Sequence, residues 1–362
     1  MKILFICGSL EPGKDGVGDY ARLFSLELIK QGHEAALISL NDHFTATTLI
    51  SALNPGSPDS ILRLSATAQW DDRIKEAKKF IEDFKPVWLS LQYVSFAFND
   101  KGLPFNLAKK IKLLTCNAKW HIMFHELRVG MDTESPFKHK VWGKVQEIIL
   151  VNMLRVLKPS VITTQTQFYQ LYLDKLGYKA SLLPLFGNIV KINETVNHVE
   201  NIVRIAVFGG IHFGAKINEF ARWLKGTNRV QFHVDFIGSN GVEQEIWIQA
   251  LTKNNIPYTL HGWLKDNEVS NALSNCKWAL TSTPFYLVQK SGSVSAMIEH
   301  SLLVLCIARD WVPSSIDTKK LDDTTAVNWN SDLDINYILD NASTPKIHKL
   351  ESVVAGFINH LK

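Results

Sequence analysis

Residues 2–18 read Lys2-Ile3-Leu4-Phe5-Ile6-Cys7-Gly8-Ser9-Leu10-Glu11-Pro12-Gly13-Lys14-Asp15-Gly16-Val17-Gly18, and this stretch decides the fold. Residues 2–8 form an apolar strand rich in β-branched side chains, which runs into a glycine-rich loop over 8–18. A helix is predicted over about 19–30, apolar at Tyr20, Leu23, Phe24, Leu26 and Leu28, and ending before Gly32. Asp19 stands where an N-cap belongs. The next strand is Ala35-Ala36-Leu37-Ile38-Ser39-Leu40. Strand, loop, helix and strand make a βαβ unit with its loop at the C-terminal end of the first strand.

The same theme begins again at Val203-Arg204-Ile205-Ala206-Val207-Phe208-Gly209-Gly210, followed by a helix over about 216–225 and a strand over 232–238. Further strand candidates are 87–91, 120–125 and 161–164 in the first half, and 258–262, 278–281 and 303–307 in the second. Strands alternating with helical patterns predict parallel α/β sheets in each half. The expected architecture is two Rossmann-like domains facing across a cleft. They would be an N-terminal domain over 1–190, a polar linker over 191–200, a second domain over 201–340 and a C-terminal helix within 341–362. Ligands of open α/β sheets bind beyond the C-terminal strand ends, so the two loop sets would line one cleft and bring two substrates together.

Composition sets limits on this reading. A chain of 362 residues, 46% hydrophobic and 20% charged, has the length and balance of a two-domain globular protein. No uninterrupted apolar run approaches the roughly 20 residues that span a bilayer. The N-terminal apolar run is too short for a signal peptide, so a cytoplasmic location is the expectation. Cys7, Cys116, Cys276 and Cys306 are scattered, without metal-like or redox-like pairing, and each reads as a small buried residue. No metal site is expected. The net charge of +4 conceals an excess in residues 101–144, where nine basic residues face three acidic ones. Within it, residues 105–114 form a basic amphipathic helix candidate, suited either to solvent or to anionic lipid at the inner face of a membrane. No nucleic-acid-binding motif occurs.

Lys290-Ser291-Gly292-Ser293 lies between a strand end at Thr281 and an apolar helix running from Val294. Helix N-termini carry unpaired N–H groups and partial positive charge, so they receive anions. Ser291 or Ser293 would equally serve as a cap. Glycines Gly209 and Gly210 allow close backbone approach from the first turn of the same domain, and Lys216 is the nearby cation. In the first domain, Gly16, Val17, Gly18 and Asp19 form the matching loop, placed to lie under a diphosphate or an acceptor. Its glycine order departs from Gly-x-Gly-x-x-Gly, and no acidic residue follows Leu40 directly, which makes a nicotinamide site the weaker reading. Trp263 and Tyr286 offer faces for a base or sugar, or for ordinary packing. Asp332-Leu333-Asp334 spells a metal-binding triplet but falls away from the strand ends.

The order of these motifs resembles the GT-B fold glycosyltransferases, nearest to bacterial members of glycosyltransferase family 4. Asp15-Gly16-Val17-Gly18-Asp19-Tyr20 followed by Lys30-Gln31-Gly32-His33-Glu34 resembles the acceptor-side loop and helix. Phe124-His125-Glu126-Leu127 is similar to the mid-domain histidine motif, and Leu183-Pro184-Leu185-Phe186-Gly187-Asn188 to the segment entering the linker. His261-Gly262-Trp263-Leu264 with Asn267-Glu268-Val269 resembles the nucleotide-binding turn, and Glu299-His300-Ser301-Leu302-Leu303-Val304 the following strand entry. The likeness spans most of 1–310. It departs from the family at two glutamates eight positions apart, for which this chain has Leu287 and Ser295, or Val288 and Ala296. Ser301 and Leu303 replace the usual Gly and Pro.

The resemblance implies transfer of a sugar from a nucleoside-diphosphate donor to a hydroxyl, without metal or bound cofactor. Lys290, Ser291, Gly292, Ser293, Gly209, Gly210 and Lys216 would hold the diphosphate, and Gly262, Trp263 and Tyr286 the base or sugar. His125 or Glu126 would orient or deprotonate the acceptor. The acceptor would be a glycan or lipid-linked hydroxyl in cell-surface polysaccharide or glycolipid assembly. A nucleotide-sugar epimerase of the same fold and a non-catalytic nucleotide- or glycan-binding homologue are the alternatives.

Overall fold

The first strand, β1 (Lys2–Cys7), has five of its six residues buried, as expected of a parallel strand covered on both faces. A computed structural model of the chain describes residues 1–54, 59–192, 201–321, 325–343 and 345–362. In chain order β1 is followed by α1 (Gly16–Lys30), β2 (Glu34–Asp42), β3 (Leu49–Ala52), β4 (Asp59–Ser65), α2 (Trp70–Phe84), β5 (Trp88–Tyr93) and α3 (Ser95–Phe98). Then come α4 (Leu107–Lys112), β6 (Lys119–Phe124), α5 (Phe137–Leu157), β7 (Val161–Thr164), α6 (Gln167–Lys175) and β8 (Ser181–Leu182). These strands form one sheet in the order β3-β4-β2-β1-β5-β6-β7-β8. Its pairs are parallel except β3 with β4. The β3–β4 hairpin was not anticipated, because four exposed or half-buried residues in β3 leave no apolar periodicity to read.

The second sheet is built from β9 (Ile202–Phe208), β10 (Gln231–Ile237), β11 (Tyr258–Gly262), β12 (Trp278–Thr281), β13 (Leu303–Cys306) and β14 (Val327–Asn328). Its helices are α7 (Ile217–Trp223), α8 (Gln244–Lys253), α9 (Asp266–Ser274), α10 (Gly292–Glu299) and α11 (Ile335–Asn341). All pairs are parallel, in the order β11-β10-β9-β12-β13-β14. The order reverses direction at β9, so the crevice between the loops after β9 and β12 is the topological switch point. In the first sheet the same reversal lies between β1 and β5. Ligands of open α/β sheets sit at such points.

The chain divides into two compact units, and not at the expected places. Unit 1 holds Met1–Leu183, Pro313–Ile316 and Leu350–Lys362; unit 2 holds Pro184–Val312 and Asp317–Lys349. The division falls before Pro184 rather than at 190, because Ile189 is already packed in the apolar core under β12 and α10. Of the expected linker, Lys191 and Ile192 lie in unit 2, and residues 193–200 fall outside the described residues. The C-terminal helix α12 (Leu350–Leu361) is not a separate element but part of unit 1. Its apolar face (Val353, Val354, Phe357, Ile358, Leu361) is buried, and Phe357 packs edge-on to Phe24 with ring centroids 5.1 Å apart.

Candidate functional site

In unit 2, the glycine turn after β9 and the start of α10 meet. Gly209 has φ +83°, and a Cβ placed on it would lie 3.2 Å from Ser293 Cβ and 3.4 Å from Ser293 Oγ. Any side chain here would be strained by both conformation and contact. Asn240 pins the turn, its side-chain N–H donating to the Gly209 carbonyl at 2.7 Å and its backbone carbonyl accepting from Ile211 N at 3.0 Å. A Cβ on Gly210 or Gly292 would meet nothing within 4 Å. Ser291 is the N-cap of α10, accepting from Val294 N at 3.4 Å, and the first turn carries no acidic residue. The positive end of α10 therefore keeps its attraction for an anion. Lys290 immediately precedes the cap.

His212, which the sequence did not single out, belongs to this cluster. Its backbone N–H donates to Ser282 Oγ at 2.8 Å. Burial lowers its pKa from the usual 6.5, and the Lys290 charge lowers it further. Lys216 is partly spent: its Nζ lies 2.5 Å from Asp310 Oδ1. Arg309 lies on the neighbouring loop, its side chain 3.4 Å from where a Gly214 Cβ would be. Gly262 ends β11 with φ +65°, and Trp263 behind it is 80% exposed, so core packing does not account for it. Tyr286 is half-buried, edge-on to Phe285. Of the two registers for the missing glutamates, Val288 and Ala296 lie in the apolar core. The half-buried Leu287 and Ser295 are the positions a ligand could reach. Ser301 holds φ +67°, the conformation for which glycine is the usual residue.

The first glycine-rich stretch departs from expectation. Gly16, Val17, Gly18 and Asp19 are the first turn of α1, not a loop. Asp15, not Asp19, is the N-cap, accepting from Gly18 N at 2.7 Å. Asp19 instead accepts from Gly13 N at 3.0 and 3.1 Å. The helix starts three residues early because Asp15 supplies the cap and glycine tolerates the first turn. With Asp15 on Gly18 N and Asp19 in the first turn, this helix end has less attraction for phosphate than an uncapped one. Burial raises the Asp15 pKa above its usual value, against the lowering by its backbone bonds. β2 also runs further than expected, so an acidic residue, Asp42, does end it. Its carboxylate is consumed by Arg63 Nε at 2.8 Å, Leu10 N at 3.1 Å and Phe44 N at 3.0 Å. Burial opposes its ionisation, but these bonds and the Arg63 charge pull its pKa down to about 2. It is a structural anchor and has no bond left for a ribose.

His125 follows the last residue of β6, at the C-terminal edge of the first sheet. It is buried, its Nε2 lies 2.9 Å from Gln92 Oε1, and its ring is 5.1 Å from that of Tyr20 on α1. Glu126 is half-buried beside it, where the chain has left the strand. The loop beyond is held down on α5 and α6. Arg128 donates to the Tyr172 hydroxyl at 2.6 Å and pairs with Glu147 at 3.4 Å, and Gln146 Oε1 accepts from Val129 N at 2.8 Å. Four residues upstream, His121 bonds Ser90 and Thr163 rather than a metal.

In the basic region, α4 buries Leu107, Ala108 and Ile111 and presents Lys109 and Lys112, while Lys110 is half-buried with its ammonium 4.3 Å from the centre of the Trp70 ring. Phe105 and Leu113 flank it exposed, and Phe137, at the start of α5, is 82% exposed. Cys116 is exposed, contrary to expectation, and the other cysteines are buried; all four are free thiols. Among the described residues no group of three or more His, Cys, Asp or Glu converges to hold a metal, and no helix is long and apolar enough to cross a membrane. Asp334 of the Asp-x-Asp triplet caps α11, accepting from Asn336 N at 2.8 Å.

No family model matches this chain, and no curated protein does. Solved structures do. Anabaena HepE, solved in complex with UDP and glucose, is 13% identical with a TM-score of 0.52 over 84% of this chain and 80% of its own. Sucrose-phosphate synthase from Thermosynechococcus elongatus is 11% identical, TM-score 0.56, over 84% and 81%. The lipopolysaccharide outer core galactosyltransferase WaaB is 9% identical, TM-score 0.54, over 100% and 89%. The shared feature at these identities is the fold: two units on parallel sheets, as in the GT-B glycosyltransferases.

Proposed function

We propose that this chain is a glycosyltransferase that moves a sugar from a nucleoside-diphosphate donor to a hydroxyl. The observation that carries the reading is the meeting of Gly209 with Ser293 at the switch point of the second sheet. There, open backbone at Gly210 and Gly292, an α10 first turn without an acidic residue, and Lys290 offer fixed N–H groups and positive charge to an anion, with His212 able to gain a proton as it binds. A leaving nucleoside diphosphate gains negative charge as the glycosidic bond breaks, and fixed donors and cations stabilise that change. No metal is required in this scheme, and no bound cofactor.

The first unit has the opposite character. Asp15 caps α1 and Asp19 lies in its first turn, so this helix end suits neutral, hydroxyl-bearing groups better than phosphate. His125, with Glu126 beside it, is the base or orienting group for the acceptor hydroxyl; direct deprotonation would give inversion. Exposed Lys109 and Lys112 with exposed Phe105, Leu113 and Phe137 suit contact with anionic lipid. That favours a lipid-linked or polysaccharide acceptor, met from the cytoplasmic side.

Leu287 and Ser295 favour a second reading, a homologue that binds donor or glycan without turnover. Calorimetric binding of UDP, GDP, ADP, CDP and TDP to the wild type and to Lys290→Ala tests the donor site, beginning with UDP, the ligand present in HepE. Selective binding weakened at least about tenfold in the variant is expected, the loss of one charged contact. Hydrolysis or transfer of the matching sugar nucleotide then separates the enzyme from the binding homologue. A rearranged sugar formed without acceptor would instead make it an epimerase. Absence of binding by all five would overturn the proposal.

A further inference from the structure

Arg63 and Arg73 in unit 1 are both buried, and among the described residues only Arg63 has a counter-charge. Arg63 holds the Asp42 carboxylate with two parallel bonds, Nε at 2.8 Å and Nη2 at 3.1 Å, and pairs with Glu11 as well. Arg73, on α2, is 5% exposed. Its Nη1 donates to the Leu40 carbonyl and to Asn41 Oδ1, both at 2.9 Å and both neutral. Its Nε is buried without a hydrogen-bond partner; Nη2 has none among the described residues either, but is not enclosed. These are the two nitrogens with which Arg63 holds a carboxylate. Burial lowers the Arg73 pKa, and no acid offsets it.

A desolvated cation without an anion is costly. Trp70, one turn earlier on α2, covers the guanidinium, whose Cζ lies 4.1 Å from the ring centre. An indole face offsets part of the cost and leaves the two donors unused. A second cation adds to the excess. Lys110 Nζ, from α4, lies 4.3 Å from the centre of the same ring and makes no hydrogen bond or ion pair among the described residues. Burial lowers its pKa and the Arg73 charge lowers it further, against the pull of exposed Asp71. The polar neighbours are already engaged. Asn41 Nδ2 donates to the Ala97 carbonyl and faces His43 Nε2, each at 3.1 Å, and the Asp42 carboxylate is spent on Arg63. The cluster stands at the C-terminal end of β2, on the sheet edge where ligands of such folds bind. A guanidinium edge with two parallel N–H bonds matches two oxygens of a phosphate, and the ammonium supplies the second positive charge that a phosphate monoester balances.

We propose that Arg73 and Lys110 bind a phosphate ester, with the Trp70 indole holding both cations in place. An oxyanion received at Nη2 lies on the side of Nε as well, so one ligand would satisfy both. The same α4 exposes Lys109 and Lys112, so the phosphate belongs either to a lipid headgroup or to a soluble phosphorylated compound. The site does not rest on the glycosyl-transfer reading; joined to it, the site makes the acceptor a phosphate-bearing molecule.

The test is nitrogen NMR of the full chain labelled at tryptophan, with the Trp70 indole signal identified by its loss in Trp70→Phe. Glycerol phosphate should shift that signal saturably, and Lys110→Met, which removes no hydrogen bond, should bind it at least about tenfold more weakly. Arg73→Met should abolish the shift; if that variant does not fold, Lys110→Met decides alone. Vesicles of equal parts phosphatidylcholine and phosphatidic acid separate the two sources. Sedimentation with the vesicles that glycerol phosphate competes away and Lys110→Met weakens supports the site and assigns it to a lipid headgroup. Glycerol phosphate binding that the vesicles leave undisturbed supports the site and assigns it to a soluble phosphorylated compound. A Trp70 signal that glycerol phosphate shifts no more than chloride at equal ionic strength would overturn the proposal, and so would equal binding by Lys110→Met. Calorimetry with UDP reads unit 2 and the Trp70 signal reads unit 1, so failure of either leaves the other result standing.

Discussion

Gly209 lies against Ser293, close enough that a β-carbon on the glycine would sit 3.2 Å from that of the serine. The two residues are separated by more than eighty positions, and they meet because β9 and β12 are neighbours across the point where strand order reverses. Gly209→Ala should lower stability by about 1–2 kcal/mol through its left-handed backbone alone, and weaken diphosphate binding at least about tenfold by shifting Ser293. Gly292→Ala, in helical backbone with open space around it, should instead stabilise by about 0.4–1 kcal/mol while still weakening the ligand. Urea unfolding and calorimetry on both variants check the pair. Undiminished binding in both would place the anion elsewhere.

His212 should make binding depend on pH. In the free protein burial and Lys290 keep its pKa below 6.5, so it is neutral at pH 7. A bound diphosphate favours the imidazolium and raises that pKa, so the complex takes up protons. Affinity should therefore strengthen as pH falls through the pKa of the complex, and level off below that of the free protein. Titration calorimetry in buffers of different ionisation enthalpy measures the uptake, which His212→Asn should abolish.

His121 should make the fold sensitive to acid. Its folded pKa is depressed to about 3 from 6.5, so below pH 6.5 the unfolded chain binds a proton that the native chain does not. Stability present above that pH is lost as pH falls towards the folded value, at up to about 1.4 kcal/mol per pH unit. Between pH 4 and 6 the slope of unfolding free energy in His121→Asn should be shallower by about that amount. Equal slopes would mean that His121 titrates normally.

Phe357 ties the end of the chain to its beginning, packed on Phe5, Phe24 and His121. Phe357→Ala should cost about 3–5 kcal/mol, measured by thermal unfolding. Diphosphate binding at temperatures below the transition should be retained, since α12 belongs to unit 1 and the candidate anion site to unit 2.

Much of the architecture is legible in the chain because parallel strands are buried on both faces and so appear as continuous apolar runs. Residues 3–7, 205–208 and 278–280 announce themselves in this way. The short strands β3, β8 and β14 carry no such signal. A helix start is also local, and Ser291 before an apolar helix can be recognised as a cap. The choice between Asp15 and Asp19 cannot, since either has the required chemistry and only the turn geometry separates them.

The sequence by itself determined two βαβ starts and small or cationic residues after the strands, because backbone periodicity and turn chemistry act over a few residues. The tertiary structure decided where strand order reverses and what meets there. It placed Gly209 on Ser293 and His212 near Lys290, spent Asp42 on Arg63, folded α12 onto unit 1 and set His121 between Ser90 and Thr163. Each of these depends on which strands become neighbours and which polar groups are desolvated together. That is settled by packing the whole sheet, and no local pattern carries it.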